Sequence, residues 1–578
     1  MPKIEVNLKD LFHLAEFETD LDELERRLVC AKAEIDGFDE STGTLKVELN
    51  DTNRPDLWST GGLARLLRVY SRGGIPRYDF FSSLGDVKDA DKRVVMVDPA
   101  LETLRPYITA FAVTGKPLDE STLIDLIQTQ EKLCWNYGQK RKSIAMGVYR
   151  SDMISYPVQY RAVDPDKTTF VPLGMEERLS LREILEKHPK GREFGGIVAA
   201  FEKFPFLTDS RGEVLSFPPV INSAEIGAVQ VRDENLFIEM TGTDLPSLVH
   251  AASIVACDLS DAGHTILPVR IEYPFTTCFG RQITVPWYFQ ERLSIERAFA
   301  GKLLGEDLAP EEMKACLAKM GVTSQVEGDT VTITVPEYRN DFMHPVDIVE
   351  DLMIGRGMDS FDPVMPREFT IGRLTSEELF LRDVRNIMIG LGFQEMIYNY
   401  LGSGKNFIQK MNITGEGMVR ILNPMTENYE YVRNSTLPAL LESESVSGNA
   451  VYPHRIFETG KVAWLDKEKN YGSVTRNFLG FLAADREAGF NEISSHVSAL
   501  FYYLSKDYTL EEREDPRFIP GRTAGLLYQG VSVGIMGELH PAVLTNWGIE
   551  MPAAACEIDL DALMYPGLSP HEEGTSWK

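Results

Sequence analysis

The stretch RNDFMHPVDIVEDL, Arg339 to Leu352, leaves its backbone and its charges little freedom. Pro345 suits the first turn of a helix, where the N–H it lacks would have no intrahelical partner, so the chain is predicted helical from Val346 onward. Asp347, Glu350 and Asp351 then stand at i, i+3 and i+4 on one arc, while Ile348, Val349 and Leu352 occupy the neighbouring apolar arc. One face must bury and the other repels itself. Each like-charge pair at that spacing costs roughly a few tenths of a kcal/mol unless a cation sits among the acids, and Asp341, just before the helix, closes the ring. Carboxylate ligands suit a hard cation such as Mg²⁺. A solvated polar face, with Asp347 favoured by the helix dipole, is the alternative.

This helix is one piece of a chain of 578 residues, too long for a single core and expected to divide into several domains. No apolar run is long enough to span a bilayer and the start, MPKIEVNLKDLF, lacks the apolar core of an export signal, so a cytoplasmic protein without a membrane segment is expected. Six Cys without a C-x-x-C pair fit a reducing compartment. The net charge of −28 repels a polyanion over most of the surface, which confines nucleic-acid contact to local patches such as Lys140, Arg141, Lys142 and Arg150 in YGQKRKSIAMGVYR.

The pattern of apolar residues predicts a multidomain α+β protein. An N-terminal α/β domain covers 1–90, with strands KIEVNL and TLKVELN and a helix after NRPD. A mixed domain covers 91–270, alternating strands such as SIAMGVY and NLFIEMTG with helices such as STLIDLIQTQEKLCWNYG. Residues 278–358 read as two helices, SIERAFAGKLLG and APEEMKACLAKMG, a hairpin turning near Gly328, and the acidic helix. A large antiparallel sheet with helices is expected over 368–578, opening on the helix SEELFLRDVRNIMIGLG.

The chain contains no G-x-x-x-x-G-K-[ST] phosphate loop, no H-E-x-x-H zinc pair and no G-x-S-x-G elbow. In the last domain Arg455 and Arg522 are placed to clamp a phosphate or carboxylate, or else to pair with acids across the sheet. In LSFPPVINSAEIGAV and NLFIEMTGTDL the residues Ser216, Asn222, Ser223, Glu239, Thr241 and Thr243 lie among apolar strands, as a pocket that reads polar groups requires; turn chemistry at strand ends is the other reading.

These stretches, with NDTNRPDLWSTGGLAR, resemble in order the β subunit of phenylalanyl-tRNA synthetase of the archaeal and eukaryotic type, over nearly the whole chain. The most specific elements are NRPDLWS, Asn53 to Ser59, and YRNDFMHPVDIVED, Tyr338 to Asp351. The resemblance implies a heterotetramer of two α and two β subunits, with the α subunit activating L-phenylalanine with ATP and the assembly charging tRNA. It implies that 278–358 is a B5-type domain holding Mg²⁺ through Asp341, Asp347, Glu350 and Asp351. It further implies that 368–578 is a class II synthetase-like domain without catalysis, RIFE (Arg455 to Glu458) standing for its second motif.

The 91–270 region resembles the family's B3/B4 editing domain. A site built for Phe rejects Tyr by only about a hundredfold, since Tyr merely adds a hydroxyl, so a second site must hydrolyse Tyr-tRNA. The resemblance assigns that pocket to Leu207, Ser216, Glu239 and Thr241, with Glu239 accepting a hydrogen bond from the phenol and Ser216 and Thr241 orienting water or the ester. Two other readings stay open: a structural, tRNA-docking subunit without editing, and a free-standing Mg²⁺-dependent hydrolase.

Overall fold

Alternation decides the first element. In Thr44–Leu49 the residues Leu45, Val47 and Leu49 turn inward and Lys46 outward, and the strand lies between Lys3–Asn7 and Ala33–Asp39 in an antiparallel three-stranded sheet. A computed structural model describes residues 2–81, 92–367 and 370–565. It forms two units, Met1–Val364 and Met365–Lys578. The domain break expected near residue 90 and the domain start expected at 368 lie outside the described residues.

In the first unit, NRPDLWSTGG makes a packing seam. Arg54 donates Nε and Nη2 to the two carboxylate oxygens of Asp56, each at 2.8 Å, and Ser59 caps helix Thr60–Arg72. A Cβ on Gly62 would fall 1.7 Å from the Asp56 carbonyl oxygen, so glycine is required there, and one on Gly61 would press Asp258 at 3.2 Å. Arg65 of this helix, almost fully buried, binds Asp258 at 2.5 Å and Asp261 at 2.6 Å on helix Leu245–Asp261.

A ten-stranded sheet follows. Its pairings run from Ile221–Asn222 through Val214–Phe217, Phe204–Thr208, Val158–Val163, Val94–Val97, Thr265–Thr277, Tyr107–Thr114 and Leu236–Gly242 to Ile144–Arg150. Val94–Val97 runs parallel to both neighbours and the other pairings are antiparallel. The last strand of this path meets the first strand and the segment after it: Asn222 Nδ2 donates to the Val148 carbonyl at 3.4 Å and Arg150 N–H to the Ile226 carbonyl at 3.1 Å. The sheet therefore curls on itself and brings Glu239 and Ser216 to either side of the Tyr149 hydroxyl.

Residues 292–358 pack a three-stranded sheet, Arg292–Glu296, Thr330–Thr334 and Thr323–Glu327, with helices Arg297–Leu304, Pro310–Lys319 and Pro345–Arg356. Ser294 to Glu296, expected to open a helix, form a strand instead, because Ile295 buries against the sheet while its neighbours face out and pair with Thr332 and Thr330.

The second unit carries a seven-stranded sheet in the order Gln394–Glu395, His454–Leu465, Ser473–Ala484, Ala553–Asp559, Val531–Leu539, Phe518–Tyr528, Thr509–Glu512. Period-two alternation divides it: Ala554, Cys556 and Ile558 pack with helices Ser376–Gly390 and Phe490–Tyr503, whereas Ala553 and Ala555 pack with Leu437–Val446 and Pro541–Trp547. Helix Ser376–Gly390 buries Leu381, Val384 and Met388 in this core and leaves Leu379 and Ile389 exposed. Among the described residues no helix is long and apolar enough to cross a membrane.

Candidate functional site

Glu239 sits on the strand Leu236–Gly242, between Ala110 on one neighbouring strand and Gly147 on the other. The small partner Gly147 lets the Tyr149 hydroxyl reach the carboxylate. A Cβ on Gly147 would lie 2.1 Å from Tyr149 Oη and 2.6 Å from Glu239 Oε1, so only glycine fits. Tyr149 reaches across the closed sheet: its Oη lies 2.8 Å from Glu239 Oε1 and 2.8 Å from Ser216 Oγ, with Asn222 Oδ1 at 3.5 Å. A phenol has one proton to donate, so when Tyr149 gives it to the Glu239 carboxylate, the Ser216 hydroxyl donates to Tyr149. Oε2 of Glu239 is buried without a hydrogen-bond partner. Burial pushes the Glu239 carboxyl up to about 7, against the opposing pull of the Tyr149 hydrogen bond and the charge of Arg105. Burial also holds the Tyr149 phenol well above its ordinary value, and the Glu239 charge adds to this.

The structure brings Ser216 and Glu239 into one network through Tyr149. Leu207, fully buried, stands opposite Ser216 in the neighbouring strand. Thr241 lies two residues along from Glu239, on the same face, and is held by Arg105, whose Nε donates to Thr241 Oγ1 at 3.0 Å and Nη2 to the Thr241 carbonyl at 2.5 Å. Arg105 Nη1 donates to the carbonyl of Lys142 at 2.9 Å. Burial lowers the pKa of this guanidinium. Tyr149, Arg105 and Gly147 escaped sequence reasoning. The glycine inside the apolar run SIAMGVY was the available signal, since glycine within a strand marks close approach.

The acidic helix has a different solution from the one expected. Arg339, 1% exposed, donates Nε to Asp341 at 2.9 Å and Nη2 to its other oxygen at 2.5 Å, and also reaches Asp351 through Nη1 at 2.6 Å and Nη2 at 3.1 Å. Asp347 accepts the N–H groups of Met343 at 2.7 Å and His344 at 2.6 Å and so caps the helix start. Glu350 pairs with Lys32, which also binds Asp51 at 2.8 Å. Burial would raise the Asp341 carboxyl, but the charges of Arg339 and Arg54 hold it below the ordinary carboxylate range. The Asp351 carboxyl is raised by burial, with Arg339 opposing. The four acids thus meet a guanidinium, a helix cap and a lysine in this structure. Among the described residues no group of three or more His, Cys, Asp or Glu side chains is arranged to hold a metal.

In the second unit the candidate clamps are neutralised. Arg455 Nη2 binds Glu492 at 2.9 Å and Arg522 Nη1 binds Glu538 at 2.5 Å. Glu458 is tied to the buried Arg433 at 2.7 Å. Acid pairing, the alternative reading of these arginines, is the one observed.

Known proteins share both the order of these domains and their sequence. Residues 363–560 match the family described as the phenylalanyl tRNA synthetase beta chain CLM domain, and residues 293–358 match the tRNA synthetase B5 domain. The phenylalanine–tRNA ligase beta subunit of Borreliella burgdorferi (strain ZS7) is 48% identical over 568 residues, covering 98% of this chain and 100% of the relative. That of Borrelia recurrentis (strain A1) is 47% identical over 565 residues with the same coverage. An N-terminal fragment of the phenylalanyl-tRNA synthetase beta subunit from Pyrococcus horikoshii superposes with a TM-score of 0.57 at 36% identity, spanning 62% of this chain and all of the fragment.

Proposed function

The chain belongs to the family of phenylalanine–tRNA ligase beta subunits, a component of an aminoacyl-tRNA synthetase, and on that premise we propose that its Glu239 pocket hydrolyses Tyr-tRNA made in error. One observation carries the reading: a buried carboxylate oxygen, Oε2 of Glu239, has no partner. A buried acceptor without a donor is costly, and a substrate phenol supplies the donor where a phenyl ring does not. A hydrogen bond to a charged group contributes roughly 1.5–3 kcal/mol, so Tyr is preferred over Phe by about ten- to a hundredfold at this site. Hydrolysis joins the oxygen of water to the ester carbonyl carbon. The bond from that carbon to the ribose oxygen breaks, and the ribose oxygen takes the proton. In this reading Ser216, linked to Glu239 through Tyr149, and Thr241, two residues along the same strand, orient the ester or the water, with Leu207, opposite Ser216, as apolar backing.

In this reading activation of L-phenylalanine with ATP belongs to an α subunit, and two α and two β chains form a cytoplasmic heterotetramer that binds tRNA. Exposed apolar side chains on the second unit, among them Ile397 and Leu422 at 89% and 99% exposure, support burial against such a partner. The domains are taken as 1–90, 91–270, 278–358 and 368–578. The archaeal/eukaryotic type is supported by the Pyrococcus fragment, all of which is covered by 62% of this chain.

The test is deacylation of Tyr-tRNA and Phe-tRNA by the αβ complex. Glu239→Ala is expected to lose Tyr-tRNA hydrolysis about ten- to a hundredfold while Phe charging stays near wild type, and full Tyr-tRNA clearance by the variant sinks the assignment. A structural subunit without editing is the second reading, favoured by Tyr149, whose own phenol already occupies Glu239 Oε1.

A further inference from the structure

Helix Glu120–Lys132 ends in a wide turn, Leu133–Tyr137, and the chain then makes three consecutive left-handed residues, Gln139, Lys140 and Arg141, at φ +49°, +57° and +66°. Non-glycine residues other than Asn and Asp rarely adopt this conformation, and three in succession require strong support. The support is visible. The N–H groups of Lys140 and Arg141 donate to the Trp135 and Cys134 carbonyls at 2.9 Å each, and the Arg141 guanidinium donates to the carbonyls of Pro219 and Val220, both at 3.0 Å.

What this geometry displays is a large aromatic ring in solvent. Trp135 is 48% exposed, and Lys140 Nζ stands 5.1 Å from its ring centroid. Lys140 and Lys142 are both exposed, and among the described residues no ion pair engages either. In a chain of net charge −28 such a cationic and aromatic cluster is complementary to a polyanion that carries flat bases. The loop is stitched to both walls of the Glu239 pocket. Arg105 joins the Lys142 carbonyl to Thr241, and Arg141 holds the carbonyls just before Asn222.

We propose that Trp135, Lys140 and Lys142 form a platform for the single-stranded 3′ end of tRNA, Trp135 stacking on a base and the two ammonium groups meeting phosphates, so that the terminal ester is led to the rim of the pocket. The direction of the strand rests on the reading of the Glu239 pocket as the hydrolytic site; the platform itself is tested without hydrolysis. The probe is a fluorescein-labelled single-stranded ribotetranucleotide, and the readout is anisotropy with the full-length chain at several salt concentrations.

Trp135→Ala is expected to weaken binding on the order of tenfold or more, and Trp135→Phe, which keeps an aromatic face, to retain most of it. The pair Lys140→Ala with Lys142→Ala is expected to flatten the dependence of log K on log salt by about 1.4, or roughly 0.7 for each phosphate that no longer meets a lysine. A blunt RNA duplex should bind more weakly than the tetranucleotide. Wild-type affinity in Trp135→Ala together with a wild-type salt slope in the lysine pair overturns the platform, and so does equal affinity for the duplex. Tyr-tRNA deacylation run beside the binding assay keeps the two ideas apart. An inert wild type refutes editing alone, while the anisotropy still decides the platform.

Discussion

Replacing Tyr149 by Phe removes one oxygen and its proton from the centre of the network and leaves the ring's packing in place. That hydroxyl is the partner of Glu239 Oε1, at 2.8 Å, and it favours the charged carboxylate against a burial that holds the group at about 7. A hydrogen bond to a charged group is worth roughly 1.5–3 kcal/mol, and about 1.36 kcal/mol corresponds to one pH unit, so the Glu239 midpoint should rise by about one to two units in Tyr149→Phe. At neutral pH most of the population then carries a neutral carboxyl, which accepts a phenol proton poorly. Preference for Tyr-tRNA over Phe-tRNA should fall roughly tenfold at pH 7 and return as the pH is raised toward 9. The assay is single-turnover deacylation of both esters by the αβ complex between pH 6 and 9. A pH profile that superimposes on wild type refutes the coupling between Tyr149 and Glu239. A rise in Tyr-tRNA hydrolysis at every pH would instead mean that the Tyr149 phenol blocks the site, as the non-editing reading holds.

Glu239 also predicts a pH dependence of stability. Its folded carboxyl titrates at about 7 against an ordinary value of 4.5, so the folded state holds the extra proton between those limits and stability from this group is full below about 4.5 and lost as pH rises through 7. Glu239→Gln should therefore flatten the fall of Tm from pH 5 to pH 8 by an amount equivalent to about 2.5 kcal/mol, and identical curves for the two proteins would contradict it. If Arg339 alone neutralises Asp341 and Asp351, millimolar Mg²⁺ leaves the wild-type Tm unchanged; a Mg²⁺-dependent rise with measurable binding heat would show that these acids hold the cation. Arg339→Ala should cost about 3–5 kcal/mol by leaving two buried carboxylates unpaired, measured by urea unfolding, and a loss below about 1 kcal/mol would remove the guanidinium from that role. Gly147→Ala forces a methyl into the space of Tyr149 Oη and should destabilise by about 1–3 kcal/mol, with Tyr-tRNA hydrolysis falling beside it.

What the sequence made legible was local in physical origin. Pro345 at a helix start, the alternation in TLKVEL and the hairpin at Gly328 each depend on residues within one turn or one strand of each other. The acidic helix was legible as a problem, too many like charges on one arc, but its solution was not. Arg339 stands inside the same stretch, yet whether its guanidinium turns back onto Asp351 depends on how residues 339–345 approach the helix, which no periodicity encodes. The Glu239 pocket has the same character. Tyr149, Ser216 and Glu239 belong to three strands that only the curling of a ten-stranded sheet brings together, and Tyr149 in a run such as SIAMGVYR reads as one more apolar residue. Arg455 and Arg522 follow the rule as well, each taken by an acid 37 or 16 residues away. A buried charge costs too much to stand alone, so its partner is fixed by the fold as a whole. Among the buried carboxylate oxygens of the described residues, Oε2 of Glu239 is the exception to that pairing, and this exception is what the proposed reading of a phenol rests on.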